Sequence, residues 1–196
     1  GGVWLGSLAA MHKQTWRDYG SMLIALAAIS LPAYIVGPLL ILVFALTLGW
    51  FPAGGWGGAS HLILPTLTLA APAMAVVARL MRGSMVETLD QDFIRTARAK
   101  GLKEESVVFR HALRLALLPV VSYLGPLAAH LLTGSIVVET VFNIPGAGGF
   151  FVNSILNRDG FLLGGMVIVY CIMLVVFNLV VDLVYSYLDP RIQADV

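Results

Sequence analysis

Charge is scarce in this sequence. Asp, Glu, Lys and Arg make up 12% of the 196 residues while 59% are hydrophobic, against a usual charged share of about a quarter. A water-soluble domain that hides its apolar residues in one core is excluded, because too little polar surface exists to cover it. Cysteine is limited to Cys171, set within an apolar run, which excludes a disulfide framework and a Cys-rich metal motif. No metal ligand set and no nucleic-acid partner are expected. The pattern G-x-x-x-x-G-K-[ST] is absent, so the chain carries no phosphate loop of its own. No internal repeat or heptad register is present.

What remains is long apolar sequence. A hydrocarbon layer takes roughly 20 residues of helix at about 1.5 Å each, and the chain offers spans at about 21–48, 61–81, 115–138 and 160–186. Residues 1–11 are apolar but short and begin without an initiator Met, so the chain is expected to be N-terminally incomplete, with this piece a partial span. The fold class expected is an all-α polytopic membrane bundle forming a single domain. Pro32, Gly37 and Pro38 within the first long span predict a tilt, kink or interfacial end. Pro65 and Pro72 in the next imply packed neighbouring helices.

Basic residues set the sidedness. Eight of the twelve Lys and Arg fall between Arg79 and Arg114, Lys13 and Arg17 lie in the first loop, and Arg191 in the tail. Loop 49–60 holds none and 139–159 only Arg158. By the positive-inside rule, the rich segments face the cytoplasm and the two poor loops face outward. Trp50, Phe51 and Trp56 in "GWFPAGGWGGAS" fit aromatic anchoring at the interface.

The segment 82–114 concentrates the charge. In "FIRTARAKGLKEESVVFRHALRLALLP" (Phe93–Pro119), Phe93, Ile94 and Ala97 share a helical face opposite Asp92, Arg95 and Arg98. After Gly101, Val107, Val108, Ala112 and Leu115 recur at three- and four-residue steps. Two short helices with a glycine joint are predicted, the second a rigid lever, Val107–Pro119, running into the next span. Glu87, Asp90, Asp92, Glu104 and Glu105 are interspersed with the cations. A purely lipid-binding stripe is more uniformly basic, so mixed charge favours docking to a protein.

This segment resembles the cytoplasmic coupling segment of permease subunits of ATP-binding-cassette importers. The version is that of the dipeptide/oligopeptide/nickel permease family, B-type subunit. "FPAGGWGG", "RGSM" (Arg82–Met85), "GSIVVETVFNIPGAGGFFVNSILNRD" (Gly134–Asp159) and "DPRI" (Asp189–Ile192) are similar to that family in the same order. In the general importer motif Glu-Ala-Ala precedes the glycine, and Ile-x-Leu-Pro follows. Here Arg95, Thr96 and Ala97 take the first three places, Gly101 the glycine, and His111, Leu113 and Arg114 the later ones. The resemblance implies a type I importer permease with six membrane helices per subunit, in a bacterial cytoplasmic (inner) membrane. It implies ATPase coupling through Arg95, Thr96, Ala97, Lys100, Gly101, Arg110 and His111. ATP and Mg would be bound by partner subunits and no cofactor by this chain, which would not itself be an enzyme. Implied partners are a second related permease in a heterodimer, two ATPase subunits or domains, an extracytoplasmic solute-binding protein and the lipid bilayer. Di- or oligopeptides are the implied cargo, with nickel, glutathione or another small solute as the alternative.

Other polar residues are candidates of a second kind. Glu139, Asn143, Asn157, Arg158 and Asp159 lie at the outward mouth, where they build loop structure, gate the path or contact a binding protein. A short amphipathic helix is predicted at Gly148–Leu156. His130, expected to be buried in mid-span, and Asn178 and Asp182, four residues apart on one helical face, are candidates for interhelical hydrogen bonds or the translocation path. An intramembrane hydrolase would need Ser135, His130 and Asp182 together. Ser135 and His130 are about 140° out of register on a helix. An ion-driven transporter predicts intramembrane carboxylates and an inverted repeat, and the spans carry almost no acids.

Overall fold

A computed structural model describes residues 1–132 and 135–188. The expected "DPRI" motif, Arg191 and Gly134 lie outside the described residues. Those described are all-helical, with no strand among them: α1 Gly2–Met11, α2 Trp16–Ser30, α3 Ala33–Thr47, α4 Ser60–Leu89, α5 Asp92–Ala99, α6 Glu104–Ala116, α7 Leu118–Leu132, α8 Ile136–Val141, α9 Ala147–Leu156 and α10 Gly160–Leu188. Among them α4 and α10 are long and apolar enough to cross a membrane singly. Two bent pairs, α2 with α3 and α6 with α7, also qualify as spans when each is counted together.

The helix bounds differ from the predicted spans at two places. The first span is broken at Leu31 and Pro32. Pro32 is extended (φ −64°, ψ 145°) and opens α3 by accepting from the Ile35 and Val36 amides, because its ring cannot continue α2. The span expected to reach Val138 is a helix only to Leu132, and Ser135 then starts a separate short helix as its N-cap, accepting from the Val138 amide at 3.4 Å.

The chain folds into two compact units. The first comprises residues 1–27, 74–126 and the C-terminal segment from Asn178. Within it α1 lies on the second half of α4 through Gly2, Gly6, Ala9 and Ala10, all buried. A Cβ on Gly2 would stand 2.6 Å from the Met74 carbonyl oxygen, and one on Gly6 2.7 Å from Met81 Cβ. Only small residues at a four-residue step allow backbones to approach so closely. Beside this contact Asp18, 1% exposed, receives both Nε (2.5 Å) and an Nη (2.7 Å) of Arg82 and the amide of Gln14 (3.0 Å). Lys13 and Asp90 make an outer pair at 3.0 Å.

The second unit comprises residues 28–73 and 127–177. Phe142, Leu64 and Val138 form its core, surrounded by Leu40, Ile41, Phe44 and Phe51. Gly37 lies 3.3 Å, as a virtual Cβ, from the Phe142 ring. The Gly55 amide donates to the Phe142 carbonyl at 2.7 Å, tying the Gly-rich loop to α8.

Candidate functional site

The segment expected to act in coupling is built from α5 and α6. Ile94 (0% exposed) and Ala97 (7%) turn inward with Val107, Val108 and Ala112 of α6, which are equally buried. The two helices are in contact, and Ala97 lies on the buried face of α5. Phe93 departs from the predicted face, being 39% exposed.

The joint is a Schellman turn. Gly101 has φ +77°, its amide donates to the Arg98 carbonyl at 2.9 Å, and the Leu102 amide reaches the Ala97 carbonyl at 3.4 Å. This left-handed position strains any residue with a Cβ. Across the joint the Arg98 guanidinium grips Glu104 with two donors, at 3.0 and 2.6 Å. Those bonds hold the Glu104 carboxyl below the ordinary range and push Arg98 up, with burial opposing both. Glu104 also sits in the first turn of α6, where the helix dipole favours an anion.

The outer surface of this pair is open. Asp92, Arg95, Thr96, Lys100, Gly101, Lys103 and Arg110 are exposed and His111 is half-buried. Thr96 donates its hydroxyl to the Asp92 carbonyl and Arg95 meets Asp92 at 3.3 Å. Among these charges three apolar side chains stand out: Phe93, Leu102 (42% exposed) and Phe109 (58%). Sequence reasoning missed Phe109; its signal is an aromatic out of phase with the buried Val107, Val108 and Ala112. Exposed apolar residues ringed by mixed charge are a pattern that protein-docking surfaces share.

The lever differs from expectation. α6 is π-helical over Val107–Ala112, and the α6–α7 pair bends by 49° at Leu117. Pro119 explains the bend: it supplies no amide to the Leu115 carbonyl, and its ring crowds that group. Movement delivered to α5 and α6 therefore meets a jointed helix pair.

The outward candidates have local structural roles. Asn143 (φ 51°) and Arg158 (φ 54°) occupy left-handed positions ending α8 and α9. Asn157 is the C-cap of α9 and Asp159 starts α10, accepting from the Leu162 amide at 3.0 Å. The predicted short helix is present as α9, starting at Ala147. The Glu139 carboxylate lies against the first turn of α9, accepting from the Gly149 amide at 3.3 Å. Gly146 and Gly148 leave it room, since a Cβ on Gly148 would be 3.0 Å from Glu139 Oε2. An open cleft of about 440 Å³ adjoins Glu139, Asn143, Phe150 and Asn153.

The remaining candidates are dispersed. His130 is exposed, not buried as expected: α7 turns Val120, Val121, Gly125 and Ala129 inward, and the residue after Ala129 falls outside that face. Asn178 is half-buried and Asp182 exposed on α10, and the interhelical bonds expected of them are not formed among the described residues. Ser135 is used as a helix cap, as described above.

Helices of spanning length, joined by a basic helix pair with a glycine joint and by a helical loop, define a multi-pass membrane protein. The match of residues 2–194 to the pattern of "Binding-protein-dependent transport system inner membrane component" is decisive, and the chain belongs to that family. It is 45% identical over 194 residues to the oligopeptide transport system permease protein OppB of Haemophilus influenzae, covering 98% of this chain and 63% of that protein. It is 47% identical over 192 residues to the dipeptide transport system permease protein DppB of Bacillus subtilis, covering 98% and 62%. With the glutathione transport system permease protein GsiC of Escherichia coli it shares 45% over 192 residues, covering 98% and 63%. The chain thus spans less than two thirds of the length of the curated relatives it matches.

Proposed function

We propose that this chain is the greater part of a permease subunit of an ATP-driven, binding-protein-dependent importer of di- or oligopeptides in a bacterial inner membrane. The observation that carries the reading is the α5–α6 pair. Its inner face is closed by Ile94, Ala97, Val107, Val108 and Ala112, and its outer face presents Phe93, Leu102 and Phe109 among Arg95, Lys100, Lys103 and Arg110. That face suits a groove on a cytoplasmic ATPase, which supplies ATP and Mg. A second permease completes the path, and α8 and α9 with their cleft face an external binding protein. Peptide cargo is supported by the names of the OppB and DppB relatives. Glutathione, itself a small peptide, is the second reading, supported by the GsiC relative.

Affinity purification of the full-length tagged protein from its native membrane tests this. One or two ATPases, a related permease and a solute-binding protein are expected to accompany it, and labelled peptides to be taken up by reconstituted vesicles. Recovery of the protein alone, under conditions that preserve a known importer complex, overturns the proposal.

A further inference from the structure

Among the described residues Arg17 makes no ion pair with a carboxylate. The ion pairs of the described residues join Lys13 to Asp90, Arg82 to Asp18, Arg95 to Asp92 and Arg98 to Glu104. Arg17 instead donates to His12 Nε2 at 3.4 Å and lies over the Trp16 ring, 5.8 Å from its centroid. His12 then carries its proton on Nδ1, which donates to the Leu8 carbonyl at 3.0 Å. This arrangement leaves most of the five guanidinium donors unused.

A cleft of about 170 Å³ between α1 and α2 is lined by Leu5, Leu8, Ala9, His12, Arg17 and Ser21. Trp16 (79% exposed) and Tyr19 (65%) flank the site, the residue types that settle where headgroups meet hydrocarbon. A cleft lined by Leu5, Leu8 and Ala9 together with the Arg17 guanidinium complements an amphiphile with an anionic head. Arg matches a phosphate with two parallel donors.

We propose that this cleft binds one anionic phospholipid of the cytoplasmic leaflet, its phosphate on Arg17 and the start of an acyl chain over Leu5, Leu8 and Ala9. The proposal rests on the sidedness given by the basic residues and is independent of the cargo or ATPase. It assigns Arg17, in the first turn of α2, a role separate from the α5–α6 pair.

The test uses the full-length permease in its complex, in nanodiscs of equal phosphatidylglycerol and phosphatidylcholine. Lipids retained after mild extraction are counted by mass spectrometry. The wild type is expected to retain phosphatidylglycerol preferentially, and Arg17→Gln to lose about fivefold of that enrichment, the equivalent of one basic residue at an anionic surface. Arg17→Lys keeps part of the preference, and Ser21→Phe, which fills the cleft, lowers retention of both lipids. Equal retention by wild type and Arg17→Gln overturns the proposal. So does Arg17-dependent binding of inorganic phosphate in phosphatidylcholine discs without phosphatidylglycerol enrichment, which would make the site one for a free anion. Cross-linking from Leu5 to another protein segment in place of lipid overturns it as well.

Discussion

Replacing Gly101 isolates the backbone of the coupling joint from its surface. A Cβ at Gly101 would meet nothing within 4 Å, so a substitution causes no collision inside the chain. The cost is conformational. At φ +77° an ordinary L-residue pays about 1–2 kcal/mol, a factor of about 5–30 in the population of the jointed state. Asn tolerates the left-handed region better, and a β-branched residue is an outlier there. Peptide uptake by cells carrying Gly101→Asn, Gly101→Ala or Gly101→Val in place of the wild-type permease should fall in that order, with Val near background. Membrane levels of the three proteins should stay equal, because the exposed joint supports no span. Co-purified ATPase measured alongside should decline in the same order. Equal loss in all three variants would show that ATPase contact at the glycine surface matters and would refute the conformational reasoning. Normal uptake by Gly101→Val would remove the joint from the mechanism altogether.

Asp18→Asn should be strongly destabilising, since it leaves Arg82 facing a buried neutral amide. Breaking such a pair costs about 3–5 kcal/mol, and because the Arg82 side chain is 31% exposed the lower end applies. Thermal unfolding in detergent would reveal it, and an unchanged midpoint would contradict it. Gly6→Val drives a side chain into Met81 and the α4 backbone, so α1 should detach and become protease-sensitive, while Gly6→Ala is milder. The Arg98–Glu104 brace should respond to acid. Glu104 has a lowered folded pKa, so its contribution is present above the ordinary carboxylate value and is lost as pH falls through the depressed one. Hydrogen exchange at the Gly101 and Leu102 amides should therefore stay flat, after correction for intrinsic rates, from neutral pH to the usual carboxylate range. Below it, protection should weaken. Glu104→Gln should show the weakened state at every pH.

The parts of the site legible in the sequence were those written in periodicity and special residues. Ile94 and Ala97 recur at helical spacing opposite the cations, and Gly101 marks the only φ the joint allows. The Asp18–Arg82 pair was hidden because its partners are 64 residues apart and no local pattern links them. α8 was hidden because "SIVVETVF" continues the apolar run of α7. Ser135 was the sign of a new start, outweighed by hydrophobicity. The bend at Leu117 had its cause in view at Pro119, but "LRLALLP" reads as one helix until the carbonyl of Leu115 is asked for a donor.

The burial of Ala97 changes what the proposed coupling segment would offer a partner. A residue 7% exposed offers little surface to an ATPase, yet it fixes how closely α5 lies on Val107, Val108 and Ala112. The outer arrangement of Phe93, Leu102 and Phe109 then follows from that spacing. Under this logic the effect of substitution scales with volume. Ala97→Ser should retain most ATPase binding, while Ala97→Leu, which overpacks a closed contact at a typical cost of about 1–3 kcal/mol, should lose it about as fully as Ala97→Arg. Phe109→Ala, outside the contact, should weaken ATPase binding without altering hydrogen exchange in α5. Co-purification of the ATPase with each variant decides the matter. If Ala97→Leu binds normally and only Ala97→Arg fails, the ATPase touches Ala97 directly, and the inner face of α5 is part of the docking surface.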